Sequence, residues 1–167
     1  QAKLMSDHLL KGANAASTEM KEKLLVKRVK SRNATIEDIL KADGYIFCCP
    51  ENLASVSGEM LEFFHRCYYQ CFEATGNTEN NTYEEVSTIL GRPYGLAISA
   101  GSDGTSAASQ ITRICKGWRL SPVSKNPLIV KNGLIQTKGN ILAEKTLTVE
   151  AAEKCEELGG LLAANIL

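Results

Sequence analysis

The sequence predicts an α/β domain built on a parallel sheet with helices on both faces. Three observations carry this expectation. Apolar, β-prone runs alternate with stretches of helical periodicity along the whole chain. Residues 44–49, with Tyr45, Ile46, Phe47, Cys48 and Cys49, are almost all apolar, as expected of a strand buried on both faces. Two such runs, 44–49 and 95–100, each lead through a loop of turn residues into a helix. Such loops are where doubly wound α/β folds place their ligands. At 167 residues a single domain spanning 1–167 is expected. A chain of this length buries roughly 70% of its unfolded surface, so it needs no disulfides for stability.

The elements follow in order. Leu4, Met5, His8, Leu9 and Gly12 recur at helical spacing, predicting a first helix over about residues 1–16. Residues 24–30, rich in Leu and Val, read as a strand. Thr35 is a candidate cap for a short helix to Lys41. After the 44–49 strand, a helix over about 59–72 places Met60, Phe64, Cys67 and Cys71 on one stripe. Residues 73–85, rich in Asn and Thr, read as an exposed loop. A short helix is expected within 83–90. The second strand, at 95–100, leads through Gly101, Ser102, Asp103 and Gly104 into a helix ending near Gly117. Ala108, Ile111, Cys115 and Trp118 mark that helix's buried side. A last short strand is expected at 127–130, with 120–123 as possible members of it. Thr148 caps the terminal helix, with Glu150 in its first turn.

Lys plus Arg number 19 and Asp plus Glu number 19, so the formal net charge is zero. That balance gives no electrostatic case for nucleic acid or a membrane surface. The six cysteines lie mostly on apolar faces and read as buried thiols in a reducing, cytoplasmic setting. Cys67 and Cys71 sit one helical turn apart, but no histidine joins them at a recognised zinc spacing. His65 lies well past the first loop and reads as a surface or satisfied histidine.

The two loops carry the candidate chemistry. Pro50 turns the chain at the end of the first strand, and Ser55 and Ser57 are candidate caps for the next helix. Gly101 and Gly104 supply a tight second loop, with Asp103 able to bond locally. A helix start offers free N–H groups and a positive dipole end to anions and electron-rich rings. The same residues also serve as ordinary turn formers, and it is the pair of loops at neighbouring strand ends that favours a ligand site.

Residues 42–66 and 95–117, with their strand, Pro50–Ser55 loop, Ser57-Gly58 pair and Phe-rich helix, resemble flavodoxin-like NAD(P)H-dependent FMN oxidoreductases. The second loop, Ala100 to Thr105, is similar to that family's other flavin loop. The resemblance implies a flavodoxin-like three-layer sandwich. It implies FMN held by Pro50, Glu51, Asn52, Leu53, Ala54 and Ser55 on one side. On the other side it implies Ala100, Gly101, Ser102, Asp103 and Gly104, mostly through backbone groups. Electrons would pass from NAD(P)H to a quinone or similar acceptor, in a homodimer or homotetramer, with no side chain required as a catalytic acid or base. Leu53 stands where the family has an aromatic residue, Ala54 where it has Gly, and His65 where it has Asp. The family's first, central strand and its phosphate-holding loop have no counterpart in residues 1–167, which implies an incomplete sheet and weakened FMN binding. A flavodoxin-type electron carrier and a non-enzymatic remnant of the fold are the alternative readings.

Overall fold

In the computed structural model of the protein, residues 1–77, 82–135 and 137–167 are described, the side chains at 76, 77, 82 and 83 excepted. Helix α1 (Ala2–Met20) runs past the expected end near residue 16; it buries Met5, Leu9 and Gly12 of the expected stripe, with Ala13, and leaves Leu4 exposed. A single 3-10 turn precedes helix α2 (Ile36–Lys41). The Thr35 hydroxyl accepts the Asp38 N–H, and the Asp38 carboxylate accepts the Thr35 N–H. This reciprocal capping box satisfies two donors that a helix start leaves unpaired.

Strand β1 (Tyr45–Asn52) turns tightly into β2 (Ser55–Val56), and helix α3 (Gly58–Cys67) follows. A 3-10 turn (Tyr69–Cys71) leads to β3 (Phe72–Asn77) and β4 (Thr82–Ser87), an antiparallel ribbon separate from the main sheet. Next come β5 (Pro93–Ala100), α4 (Thr105–Gly117), β6 (Ser121–Pro122), β7 (Leu128–Lys131), α5 (Lys138–Leu142) and α6 (Val149–Ala164). β1 and β5 run parallel, in register from Tyr45 opposite Tyr94 to Pro50 opposite Ser99. β6 and β7 pair in parallel with β5. Since β1 occupies one edge of β5, both lie along its other edge.

Period-two alternation splits the strand residues between two cores. Tyr45, Phe47 and Cys49 of β1, with Tyr94, Leu96 and Ile98 of β5, join Phe63, Phe64, Ile111 and Trp118 from α3, α4 and the residue after α4. Ala97 and Val130, flanked by Ile46 and Cys48, face Met5 and Leu9 of α1 and Cys155 and Leu158 of α6. The result is the expected three-layer α/β architecture.

The structure corrects several sequence expectations. Residues 24–30 form no strand. They run beside α1 and α2, held by ion pairs from Arg28 to Asp7 and from Lys27 to Asp38, and Leu25 is exposed. β-propensity needs a neighbouring edge to become a strand, and no ladder joins this segment to β1 among the described residues. The expected loop at 73–85 is the β3–β4 ribbon, apart from residues 78–81, which lie outside the described residues. The helix expected within 83–90 is instead the end of β4 and a turn. The helix expected to reach residue 72 ends at Cys67, because the chain tightens into the 3-10 turn and starts β3. Pro50 does not end its strand; β1 continues two residues to Asn52. Pro50 is the last β1 residue in the ladder with β5, opposite Ser99, and the hairpin with β2 begins only after it, at Glu51.

Candidate functional site

The parallel register brings the two loops to one end of the sheet. Pro50 lies opposite Ser99, so Glu51 and Ala100 leave adjacent strand ends together. Each sequence-predicted residue can then be placed. Asn52, Leu53 and Ala54 form the exposed tip of the β1–β2 turn. Leu53 and Ala54 both have positive φ, 51° and 59°. Two left-handed residues at the centre of a two-residue hairpin loop are the I′ pattern, which normally selects Asn-Gly. Leu-Ala sits there under strain of about 1 kcal/mol or more per residue. Leu53 projects fully into solvent.

Ser55 does not cap α3. Its hydroxyl donates to the Gln110 Oε1 at 3.1 Å, and the Val56 N–H reaches the same oxygen at 3.2 Å. Ser57 is the N-cap residue of α3 but makes no side-chain cap bond. Gln110, in the second turn of α4, thus fastens the first loop to the helix that follows the second. Nothing in the sequence pattern marks it for that role.

On the second loop, Ala100 and Gly104 are buried, while Ser102 and Asp103 are exposed. The Asp103 carboxylate accepts from the Thr105 N–H and hydroxyl, the local turn chemistry expected of it. Gly104 has φ of 82°, and a Cβ there would come within 2.6 Å of Ile129 Cγ2. Only glycine satisfies both demands.

Glu51 joins the two loops directly. Its Oε2 accepts the Gly104 N–H at 3.0 Å, across 53 positions of sequence. The carboxylate therefore sits at the positive end of α4, where negative charge is stabilised. Its Oε1 is buried and has no hydrogen-bond partner among the described residues. A buried, unpaired carboxylate oxygen is costly unless a donor meets it. A flavin ring carries such a donor in its imide N–H, so this orphaned acceptor fits the ring edge of FMN. The start of α1 reaches the same end of the sheet: the Ser99 hydroxyl donates to the Gln1 side-chain oxygen at 2.9 Å, and the Cys48 thiol to the Ala2 carbonyl at 3.5 Å.

The thiols near the site are not poised to react. Burial pushes Cys48 up to about 12 and Cys49 up to about 11. All six cysteines are free, five of them buried. His65 is exposed on α3, away from both loops. Arg66 beside it pairs with Glu62 and donates to the Ala34 carbonyl at 2.6 Å, which ties α3 to the α2 entry. A cavity of about 520 Å³ lies between α3 and α4, with Gln110 in its lining. No helix among the described residues is long and apolar enough to cross a membrane.

No protein-family model and no curated protein matches the chain. Solved structures do. A flavodoxin from the domain Archaea superposes with a TM-score of 0.68 at 11% identity, over 99% of this chain and 90% of that one. The two-electron reduced flavodoxin of Megasphaera elsdenii gives 0.64 at 16% identity, over 98% and 91%. A flavodoxin, WrbA-like protein from Agrobacterium tumefaciens gives 0.62 at 10% identity, over 99% and 89%. With the strand order, the two layers of helices and the paired loops already in place, these superpositions establish that the chain has the flavodoxin-like α/β fold.

Proposed function

We propose that the chain binds FMN at the mouth formed by residues 50–55 and 100–104, and passes electrons from NAD(P)H to a quinone or similar small acceptor. The observation that carries this reading is the buried Glu51 Oε1, an acceptor without a donor at the junction of both loops. When bound, FMN would supply hydride acceptance and single-electron chemistry. The chain's own residues would do the binding and positioning. Glu51 Oε1 would accept a hydrogen bond from the ring imide N–H while Oε2 accepts the Gly104 N–H. The backbone groups of Asn52, Gly101 and Ser102 would line the ring. Gln110 would hold the first loop against α4, and the first-turn amides of α1 would face the phosphate end with their positive dipole. No side chain in this arrangement needs to act as a general acid or base.

The test is an FMN titration followed by visible absorbance and flavin fluorescence. The expected dissociation constant is roughly micromolar to millimolar. Glu51→Ala is expected to weaken binding about tenfold or more, the scale of a hydrogen bond to a charged group. A chain that leaves the FMN spectrum unchanged at millimolar concentration overturns the proposal. NAD(P)H oxidation with a quinone and no partner protein separates this activity from that of a pure electron carrier.

A further inference from the structure

Helix α4 carries a second stripe that its packing on the sheet does not use. Gln110, Arg113, Ile114 and Gly117 recur at three- and four-residue spacing, clear of the buried Ala107, Ala108, Ile111 and Cys115. With Leu61 of α3 and Tyr68 at its C-cap, they line the cavity of about 520 Å³ between the two helices. That volume lies within the usual range of small-molecule sites.

Its apolar wall is fixed in advance. The Tyr68 ring stacks on Trp118, centroids 5.8 Å apart, and meets the Phe72 ring at 5.5 Å. Gly117 makes room for it, since a Cβ there would fall 2.1 Å from the Tyr68 hydroxyl oxygen. Leu61 and Ile114 complete the apolar lining. A wall already ordered spares a ligand the cost of ordering it.

The polar side of the cavity supplies donors and a positive charge. Gln110 Oε1 accepts the Ser55 hydroxyl at 3.1 Å and the Val56 N–H at 3.2 Å. A backbone N–H can only donate, so it fixes which end of the Gln110 amide is the oxygen. The Gln110 NH2 group is left with no partner among the described residues. Arg113 is exposed and forms no hydrogen bond or ion pair among the described residues. No lining residue is acidic, and α4 carries Arg113 and Lys116 with no Asp or Glu. A free guanidinium matches a planar carboxylate through two parallel N–H bonds, and the Tyr68, Leu61 and Ile114 wall matches a flat apolar body. We propose that this cavity binds a small aromatic carboxylate, with its carboxylate on Arg113 and the Gln110 NH2 group and its ring against Tyr68, Leu61 and Ile114. The inference does not depend on flavin binding.

The test is saturation-transfer NMR on phenylacetate mixed with the whole chain, with phenylacetamide as the uncharged probe of the same shape. Phenylacetate is expected to bind with a dissociation constant of roughly 0.1–1 mM. Phenylacetamide is expected to bind about tenfold more weakly or worse, because it gives Arg113 no charged acceptor. Arg113→Gln is expected to weaken phenylacetate by the same factor and leave phenylacetamide unchanged. Arg113→Lys should recover part of the loss, as a point charge without the planar fork. The fluorescence of Trp118, the chain's one tryptophan, is expected to shift on phenylacetate binding through the Tyr68 stack. No saturation transfer at about 5 mM phenylacetate overturns the proposal. So does equal binding of the amide, or wild-type affinity in Arg113→Gln. Displacement of phenylacetate by an equal concentration of inorganic phosphate would reveal a bare anion site and overturn the aromatic assignment. The comparison of the two probes on the wild-type chain decides the matter even if a variant fails to fold.

Discussion

The two faces of the main sheet are packed by different means. On the α3–α4 face the volume is filled by large rings. Trp118 is fully buried, with Phe64 at 5.5 Å and Tyr68 stacked at 5.8 Å between ring centroids, and its indole N–H donates to the Tyr68 carbonyl at 3.0 Å. On the α1–α6 face β5 presents small residues, and two helices cross almost backbone to backbone. A Cβ on Gly12 would fall 1.9 Å from the Glu156 carbonyl oxygen, and one on Gly159 would fall 2.1 Å from that of Leu9. At the rim of that contact the Glu156 carboxylate pairs with Lys11 and His8, which holds it below the usual carboxylate range. β5 supplies both designs by alternation, Tyr94, Leu96 and Ile98 on one side and Gly95, Ala97 and Ser99 on the other. The lesson is that one strand can face two kinds of packing. Large rings fill the space between the sheet and α3 and α4, while on the other side glycines let α1 and α6 close on each other.

Substitutions break or sharpen that comparison. The largest effect is expected from Trp118→Ala, which empties the centre of the ring cluster and leaves the Tyr68 carbonyl without its donor. About 3–5 kcal/mol should be lost, read by denaturant unfolding. A loss below about 1 kcal/mol would mean that the rings are not what fills this face. Next is Gly159→Ala, which adds volume where there is none. An overpacking cost of about 1–3 kcal/mol is expected, despite the better helix propensity of alanine. A neutral or stabilised variant would show that α1 and α6 separate freely, and the contrast between the faces would fail. The smallest effect is a control outside both faces: Leu53→Asn with Ala54→Gly should relieve the left-handed strain of the hairpin turn and stabilise by about 1 kcal/mol. Unchanged stability would remove the case for strain there.

Much of the core was legible because helical and strand periodicities are local. Ala108, Ile111, Cys115 and Trp118 are all buried as their spacing predicts, and Thr35 and Thr148 cap their helices. The ribbon was missed because Asn- and Thr-rich strands read as loop until a partner strand is known. The β1–β2 hairpin was missed because Leu-Ala carries no turn signature. In the candidate site, the turn chemistry of Asp103 and Gly104 was readable. The Glu51–Gly104 and Ser55–Gln110 bonds were not, because each spans more than 50 positions.

By itself, the amino-acid order determined which residues are apolar, how they alternate, where helices begin and that two strand-to-helix turns exist. Those are consequences of period, capping and φ preference, and they act over a few neighbours. The three-dimensional arrangement decided the rest. It chose which edges pair, so that residues 24–30 join no sheet while residues 82–87 become a strand. It put the Glu51 carboxylate on the N-cap amide of α4, and it fastened Ser55 to Gln110. Register, burial and charge neighbourhood are properties of pairs of distant segments, and no local rule contains them.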